Sequence, residues 1–254
     1  MKQLKEIVVD SVTLASGLRE NGSSHKSYKM YTSIDRALAT IVSGDLYLSN
    51  GSNWNDKNDR ELMKAKNSFA ICLSCSTSEN IAMWMLYSGE HGKRGAMLDF
   101  SNYVLKEILQ TESVELGSFN KIGTFEPIHK LTRDDFEIFL TDILYIDECK
   151  NGKVKITFRD EHVTKEKKIL ENKDIFYKNY GWSYEKECKL TVRLSDDLSA
   201  LSSKENLGII RIHLSPSAKR KMNEERLYRS PIFTGGVSVG KESLLTGGIE
   251  WDII

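Results

Sequence analysis

The chain has no excess of either charge, because its 254 residues include 36 acidic and 36 basic side chains. A protein with zero net charge has no general attraction to nucleic acid or to an anionic membrane, although a local basic groove remains compatible with this balance. The sequence therefore argues against a protein that binds polyanions through its overall charge.

Long apolar segments and export signals are also missing. No stretch approaches the ~20 apolar residues that a membrane-spanning helix needs, and the N-terminal residues lack the apolar core of a signal peptide. Only three prolines occur, and without low-complexity tracts we expect no long disordered linker. The sequence thus predicts a cytoplasmic protein that does not associate with membranes.

Cysteine is scarce, with four residues in the whole chain. Cys72 and Cys75 have the C-x-x-C spacing of some zinc and redox sites. Cys72, however, ends an apolar run that is typical of a buried strand, and no second pair follows at zinc-ribbon spacing. We interpret the cysteines as structural residues of a reducing compartment and predict no metal site.

Short strand patterns and helical patterns mix along the chain without regular βαβ alternation. Strand patterns occur at residues 28–31, 46–48, 69–73, 95–100, 140–147, 150–158 and 208–214, and helical patterns at 34–42, 80–88, 103–110, 161–174 and 217–223. The Asn151-Gly152 pair predicts a hairpin. This order favours an α+β fold with a mainly antiparallel, split sheet flanked by helices. We expect one domain over residues 1–254, with an N-terminal helical extension at 1–26 and a motif-bearing core at 28–193.

Two glutamates carry the sharpest chemical signal. Glu185 and Glu187 follow Trp182 and Tyr184 and enter a predicted strand. Side chains at i and i+2 of a strand share one face, so the carboxylates are predicted to project together. Such like charges disfavour each other's ionisation, which is typical of sites that bind a cation, a sugar hydroxyl or a transferred proton. A solvated surface pair is the alternative.

Two polar segments offer further candidates. Asn55 and Asp56 lie in a loop rich in asparagine and aspartate, where they either build rigid turns or hold a ligand. Ser74 and Ser76 lie in a cluster of hydroxyl side chains that follows a strand pattern. They either belong to a helix-capping turn or bind a ribose or phosphate and brace a catalytic carboxylate.

An aromatic helix and a glycine-rich loop complete the candidates. Trp84 and Tyr87 are spaced i and i+3, so they share a helix face that either packs in the core or stacks on a nicotinamide or adenine ring. His91 begins a segment with two glycines around two cations, which suits either a phosphate or a hairpin turn. Motifs of zinc proteases, α/β hydrolases, P-loop NTPases and dinucleotide-binding folds are absent from the sequence.

Read together, these segments resemble a microbial family known as domain of unknown function two-nine-seven-one. The resemblance rests on their order and spacing from Tyr28 to Arg193. Three positions depart from the pattern, since Lys57 replaces a proline, Cys188 a tryptophan and Lys189 an arginine. The segments that carry the resemblance are Tyr28–Tyr31, Leu46–Ser49, Asn55-Asp56, Cys72–Ser74, Met83-Trp84 with Tyr87, His91-Gly92 and Trp182–Lys189.

The Ser-Thr-Ser turn and the late Glu-x-Glu strand are also similar to those of ADP-ribosyltransferases, including those that act on nucleic acid. The likeness implies a cleft that binds NAD as substrate, with a nucleic acid or protein as acceptor. By position, Glu187 would stabilise the oxocarbenium-like transition state, and Glu185 would take the proton of the acceptor.

The same likeness assigns supporting roles. Ser74 or Ser76 would brace the site, Trp84 or Tyr87 would stack on nicotinamide, and Lys29 or Tyr31 would replace an early arginine or histidine. Tyr28, Asn55, Asp56, His91 and Trp182 complete the implied binding residues. The family resemblance further implies a toxin or a phage-defence effector.

Two other function classes are compatible with these residues. A recognition module without catalysis would bind a nucleotide or a partner through Trp54, Asn55 and Trp84. A metal-dependent nuclease would use Asp56, Asp59, Glu185 and Glu187. We rank the nuclease lower because no lysine–carboxylate spacing typical of such sites stands out.

Overall fold

The computed structural model describes residues 27–150, 153–158, 161–166, 176–202, 207–234 and 240–243. Strands and helices mix irregularly in this part of the chain, which confirms the predicted α+β class. None of its helices is long and apolar enough to cross a membrane.

The α-helices are α1 (Ile34–Ser43), α2 (Lys57–Ala65), α3 (Ile81–Tyr87), α4 (Asn102–Leu109), α5 (Ser199–Ser202) and α6 (Pro216–Lys221). The strands are β1 (Tyr28–Ser33), β2 (Asp45–Ser49), β3 (Ser68–Ser74), β4 (Gly95–Phe100), β5 (Ser113–Phe119), β6 (Phe125–Thr132), β7 (Phe136–Asp142), β8 (Leu144–Lys150), β9 (Lys153–Phe158), β10 (Glu161–Glu166), β11 (Tyr177–Asn179), β12 (Glu187–Leu194), β13 (Ile209–His213), β14 (Leu227–Arg229) and β15 (Lys241–Glu242).

Contacts between residues divide the chain into two compact units. Among the described residues, the first unit lies within 47–72 and 109–212, and the second within 27–46, 73–108 and 213–243. Whether the chain folds as the predicted single domain stays a prediction. The predicted N-terminal helical extension lies outside the described residues.

The first unit is organised around β12. This strand runs antiparallel to β7, from Cys188 opposite Asp142 to Leu194 opposite Phe136, and it also pairs with β3. A separate sheet has the strand order β10-β9-β8-β11. A cluster of buried apolar side chains supports these strands. Its members are Met63, Ala70, Phe139, Ile143 and Phe176.

The second unit is built on β1 and β4, which pair antiparallel along six residues. The antiparallel strand β14 extends this sheet beyond β4, and β15 follows in parallel. At the other side of β1, Lys29 lies opposite Ser74. Tyr31, Met83, Trp84 and Met97 form a buried apolar cluster in this unit.

Both ends of α1 follow from its sequence and confirm the predicted helix. The Ser33 side chain accepts a hydrogen bond from the backbone N–H of Arg36, which satisfies one unpaired donor of the first turn. Gly44 ends the helix in the left-handed conformation with φ of 78°, and its N–H bonds to the carbonyl of Thr40. Glycine tolerates this conformation because it has no Cβ.

The structure confirms the predicted hairpin and corrects one predicted helix and one predicted loop. The hairpin of β8 and β9 is confirmed by the pairing of Lys150 with Lys153. The predicted charged helix at 161–174 is wrong over residues 161–166, which form β10 and pair antiparallel with β9. Backbone hydrogen bonds to a neighbouring strand can override the weak helix preference of a short charged segment. Helix α2 begins inside the segment that the sequence predicts as loop.

We expect Gly44→Ala to lower the free energy of unfolding by about 1 kcal/mol, because an L-residue is strained in the left-handed region. A Cβ at this position would also lie 3.1 Å from Cδ of Lys219. Gly208→Ala is the matched control, since its φ lies outside that region and its Cβ would meet no atom closer than 3.6 Å. Urea denaturation measures both variants, and equal stability of the two would contradict the capping role.

Candidate functional site

Five charged side chains meet in the interior of the first unit. We call Asp59, Lys178, Glu185, Glu187 and Lys189 the ionic cluster, and each side chain is at most 6% exposed. The Lys189 ammonium lies 2.7 Å from Glu187 Oε1 and 2.9 Å from Asp59 Oδ2. The Lys178 ammonium lies 2.5 Å from Glu187 Oε2, 2.9 Å from Glu185 Oε2 and 3.4 Å from Asp59 Oδ2. Each carboxylate thus contacts at least one ammonium group.

The two glutamate carboxylates lie close together as predicted, but the prediction that both residues lie on one strand is wrong. Glu185 ends the 3₁₀ helix Tyr180–Glu185, and Lys186 follows in the left-handed conformation with φ of 43°. Only Glu187 lies on β12. The two carboxylates nevertheless approach the same Lys178 ammonium, because the reversal at Lys186 turns Glu185 towards it.

The residue that shares a strand face with Glu187 is Lys189, two positions further along β12. This carboxylate–lysine spacing is visible in the sequence as Glu187-x-Lys189, so the statement that no lysine–carboxylate spacing stands out is wrong at this position. Asp59 lies in the first turn of α2, where its N–H bonds to the Asp56 side chain. Lys178 lies on β11, and no sequence pattern indicates its place in the cluster.

Electrostatics keeps Glu187 and the two lysines of the ionic cluster charged. Burial alone would raise the pKa of Glu187, but the ammonium groups of Lys189 and Lys178 hold it well below its ordinary value of 4.5. Burial would likewise lower the pKa values of both lysines, yet their acidic neighbours raise them above 10.5. Glu187 and the two lysines are therefore charged near neutral pH.

Several uncharged groups enclose the ionic cluster. The Trp54 ring lies over the Lys189 ammonium, with 4.2 Å between the nitrogen and the ring centroid. The hydroxyl oxygen of Tyr145 accepts a hydrogen bond from the backbone N–H of Glu187 at 2.8 Å. Cys72 Sγ lies 3.4 Å from the Lys189 ammonium. Burial and the nearby Glu187 raise the pKa of this thiol, which disfavours a reactive thiolate.

Three predicted binding residues lie in the first unit, and they differ in exposure and in their contacts. Asn55 is exposed, whereas Asp56 is partly buried and caps the start of α2 through its side chain. Trp182 is partly buried and lies 5.9 Å from the Lys178 ammonium, measured to the ring centroid. Its ring centroid is 6.2 Å from that of Tyr184, which is 37% exposed. The aromatic pair therefore combines contact with the ionic cluster and exposure to solvent.

The second unit contains the other predicted residues, among them a buried lysine. The Lys29 ammonium donates to the Ser76 carbonyl at 2.5 Å and to the Ser27 hydroxyl at 3.0 Å. Burial lowers the pKa of Lys29, although Asp99 and Glu79 oppose this effect. The buried Ser74 hydroxyl oxygen accepts from the backbone N–H of Ser76 at 3.4 Å. Lys29 thus links β1, which begins with Tyr28, to the turn that contains Ser76.

The aromatic helix packs into the interior of the second unit. Trp84 is 1% exposed, donates through Nε1 to Glu79 and meets the Tyr31 ring edge-on at 5.0 Å. Burial raises the pKa of Tyr31 to about 12. Tyr87 is partly buried against the same apolar cluster, and His91 is exposed with φ of 53°. This arrangement fits the core-packing alternative for Trp84, and stacking on a ligand stays a prediction.

The comparisons with known proteins add one finding. A model of the family described as "Protein of unknown function (DUF2971)" matches residues 83–190. The match covers less than half of the chain and includes Trp84, Tyr87, His91, Glu185 and Glu187. It supports the family resemblance, and the family's description names no activity. No curated protein and no solved structure matches the chain.

We expect Glu187→Gln to lower the free energy of unfolding by about 3–5 kcal/mol near neutral pH, because it leaves two buried ammonium groups undercompensated. The folded-state pKa of Glu187 is depressed, so its contribution is complete above 4.5 and is lost as the pH falls through the folded-state value. The difference between wild type and variant should therefore shrink in acid. Urea denaturation at a series of pH values measures it.

Glu137→Gln is the control for this measurement. Glu137 pairs with Arg193 of β12, but its side chain is 58% exposed, so the substitution should cost at most about 1 kcal/mol. The ionic cluster would lose its proposed importance if Glu187→Gln cost no more than this control. A difference that persisted unchanged into acid would contradict the pKa assignment.

Proposed function

We propose that this chain is an NAD-dependent ADP-ribosyltransferase in which Glu187 is the catalytic carboxylate and Trp182 and Tyr184 flank the nicotinamide. The observation that carries the proposal is the position of Glu187 at the start of β12, where each of its two carboxylate oxygens contacts a lysine ammonium. We also propose that the protein acts as a toxin or phage-defence effector, with a nucleic acid or a protein as the acceptor.

The chemistry needs a carboxylate that is ionised and fixed before the reaction. Cleavage of the bond between ribose and nicotinamide sends the bonding electron pair to nicotinamide and leaves positive charge on the ribose. A preorganised anion stabilises this charge more in the transition state than in the ground state. The depressed pKa of Glu187 keeps it anionic, and the two lysines restrict its orientation.

A second carboxylate is available for the acceptor. When the acceptor attacks the ribose carbon, its proton has to leave, and Glu185 is the neighbouring anion that would take it. Glu185 and Glu187 share the Lys178 ammonium, so movement of Lys178 would affect both groups.

Substrate contact requires a change in the ionic cluster, because Glu187 is only 1% exposed. We expect the substrate to replace Lys178 at Glu187 Oε2. Lys178 would keep Glu185 and Asp59 as partners, whereas Lys189 would keep Glu187 Oε1 fixed. The short 3₁₀ helix with Trp182 and Tyr184 joins Lys178 to Glu185, so it would move with this exchange.

The test is release of nicotinamide from NAD by the purified full chain, with RNA, DNA and protein acceptors offered separately. Glu187→Asp keeps the charge but withdraws the carboxylate by one methylene, so we expect kcat to fall by about 10²-fold. Glu185→Gln should reduce transfer to the acceptor more than hydrolysis of NAD. Chromatography of nicotinamide and of the labelled acceptor measures the two steps.

Glu137→Asp serves as the matched control for a surface carboxylate next to β12. Thermal midpoints are measured first, and activity is compared at a temperature where each variant is folded. Absence of nicotinamide release by wild type with every acceptor would refute the proposal. A rise of the thermal midpoint with NAD but no turnover would instead favour the binding-module alternative.

Metal-dependent phosphodiester cleavage is the second candidate, and one observation favours it. Asp59 and Glu187 both contact Lys189, and the Glu187-x-Lys189 spacing puts a carboxylate and an ammonium on one strand face. Asp59 and Glu187 would hold a divalent cation, and Lys189 would stabilise negative charge on the phosphate. The cation would supply an activated water.

This candidate predicts that Mn²⁺ raises the thermal midpoint and permits cutting of DNA or RNA, and that a chelator reverses both. Asp59→Asn should weaken both responses because it removes a cation ligand. Glu61→Gln on the same helix is the control, since its side chain is 67% exposed. Equal responses of the two variants would exclude Asp59 as a ligand.

A further inference from the structure

A pocket of about 370 Å³ lies in the first unit at the end of β12 that is opposite Glu187. Its size falls within the range of about 300–1,000 Å³ that small-molecule sites occupy. The pocket is lined by Ala65, Lys66, Asn67, Arg133, Asp134, Phe136, Glu137, Arg193, Leu194, Ser195 and Asp196. Neither the ionic cluster nor the aromatic pair of Trp182 and Tyr184 contributes to it.

Backbone hydrogen bonds hold the wall of this pocket in place. Asn67, with φ of 48°, accepts a bond from the N–H of Leu194 at 3.0 Å. The next residue, Ser195, donates to the carbonyl of Asp135 at 2.9 Å. The pocket is therefore formed by connected backbone segments before any ligand binds.

Charge is distributed unevenly between the interior and the edge of the pocket. Lys66 is 8% exposed and the Arg193 side chain 14%, and each cation lies 5.1 Å from the centre of a phenylalanine ring. The acidic residues Asp134, Glu137 and Asp196 are exposed. Arg193 pairs with the exposed Glu137. Because buried charges are screened less than exposed ones, Lys66 and Arg193 act on a ligand in the pocket more strongly than the exposed carboxylates do, although the lining has balanced formal charges.

We infer that this pocket binds a small sugar phosphate or nucleoside monophosphate, which goes beyond the proposed transferase activity. The phosphate would lie against Lys66 and would replace Glu137 as the partner of Arg193, since ammonium and guanidinium groups form charge-assisted hydrogen bonds with phosphate. Sugar hydroxyls would donate to the carboxylates of Asp134 and Asp196. Phe136 offers an apolar surface for the rest of the ligand.

The same arrangement argues against a polyanion. An extended nucleic acid would bring several phosphates to the edge of the pocket, where Asp134, Glu137 and Asp196 would repel them. A ligand with a single phosphate avoids this repulsion. The pocket thus selects for a small ligand through both volume and charge.

The test measures the thermal midpoint of the full chain against inorganic phosphate, ribose 5-phosphate, adenosine monophosphate and adenosine. We expect a saturable rise with the two phosphate esters, with a Kd tighter than about 1 mM. Lys66→Gln and Arg193→Gln should each weaken binding by about tenfold or more, because each removes a charged donor. Lys64→Gln is the matched control, since this exposed lysine lies near the same end of α2.

Three results would overturn the inference. The first is no saturable response to any phosphate ester, and the second is equal binding by wild type and both pocket variants. The third is equal binding of adenosine and adenosine monophosphate, which would remove the phosphate from recognition. Inorganic phosphate that bound as tightly as the esters would overturn the role of the sugar hydroxyls. Two pocket variants are used so that failure of one to fold still leaves a decisive comparison.

Discussion

The ionic cluster is the constraint on which the first unit depends. Removing five charges from water costs free energy, and ion pairs offset this cost only when each charge has close, well-oriented partners. Here β11, the 3₁₀ helix Tyr180–Glu185 and β12 follow one another in sequence, and they have to meet α2, which lies far earlier in the chain. Lys178 contacts all three carboxylates and is therefore the group whose displacement would disturb the most contacts.

The ion pairs of Glu187 affect both the stability of the fold and the ability of this carboxylate to take part in catalysis. A carboxylate held by two lysines is ionised and immobile, which are the properties that electrostatic catalysis requires. Those lysines also occupy the oxygens that a substrate would contact. Glu187 therefore has a structural role in the described conformation and would gain a catalytic one only by exchanging a partner. Because Lys189 shares the strand with Glu187 and Lys178 does not, Lys178 is the partner that local movement can release.

Local sequence signals predicted a large part of the fold and only part of the candidate site. The helical pattern of α1 and the turn pair predicted between β8 and β9 depend on adjacent residues, so local patterns identified both elements. β10 depends on pairing with β9, which overrides local helix preference. Glu185 and Glu187 were recognisable from their spacing. Lys178 was not, because β11 pairs with β8, and only the side chain of Lys178 reaches Glu187. No pattern within β11 indicates that contact.

The two lysines distinguish the candidate reactions physically. In ADP-ribosyl transfer the developing charge on the ribose is positive, so an ammonium near the reacting carbon opposes the reaction and has to stay behind the carboxylate. In phosphodiester cleavage the developing charge is negative, so an ammonium facing the substrate assists it. Lys189 lies beneath the Trp54 ring, fully buried, which suits a cation that supports Glu187 from behind. Contact between Lys189 and a phosphate would require Trp54 to move away, whereas the transferase reaction requires only Lys178 to change partners. This difference in the necessary rearrangement is the physical reason for preferring the transferase.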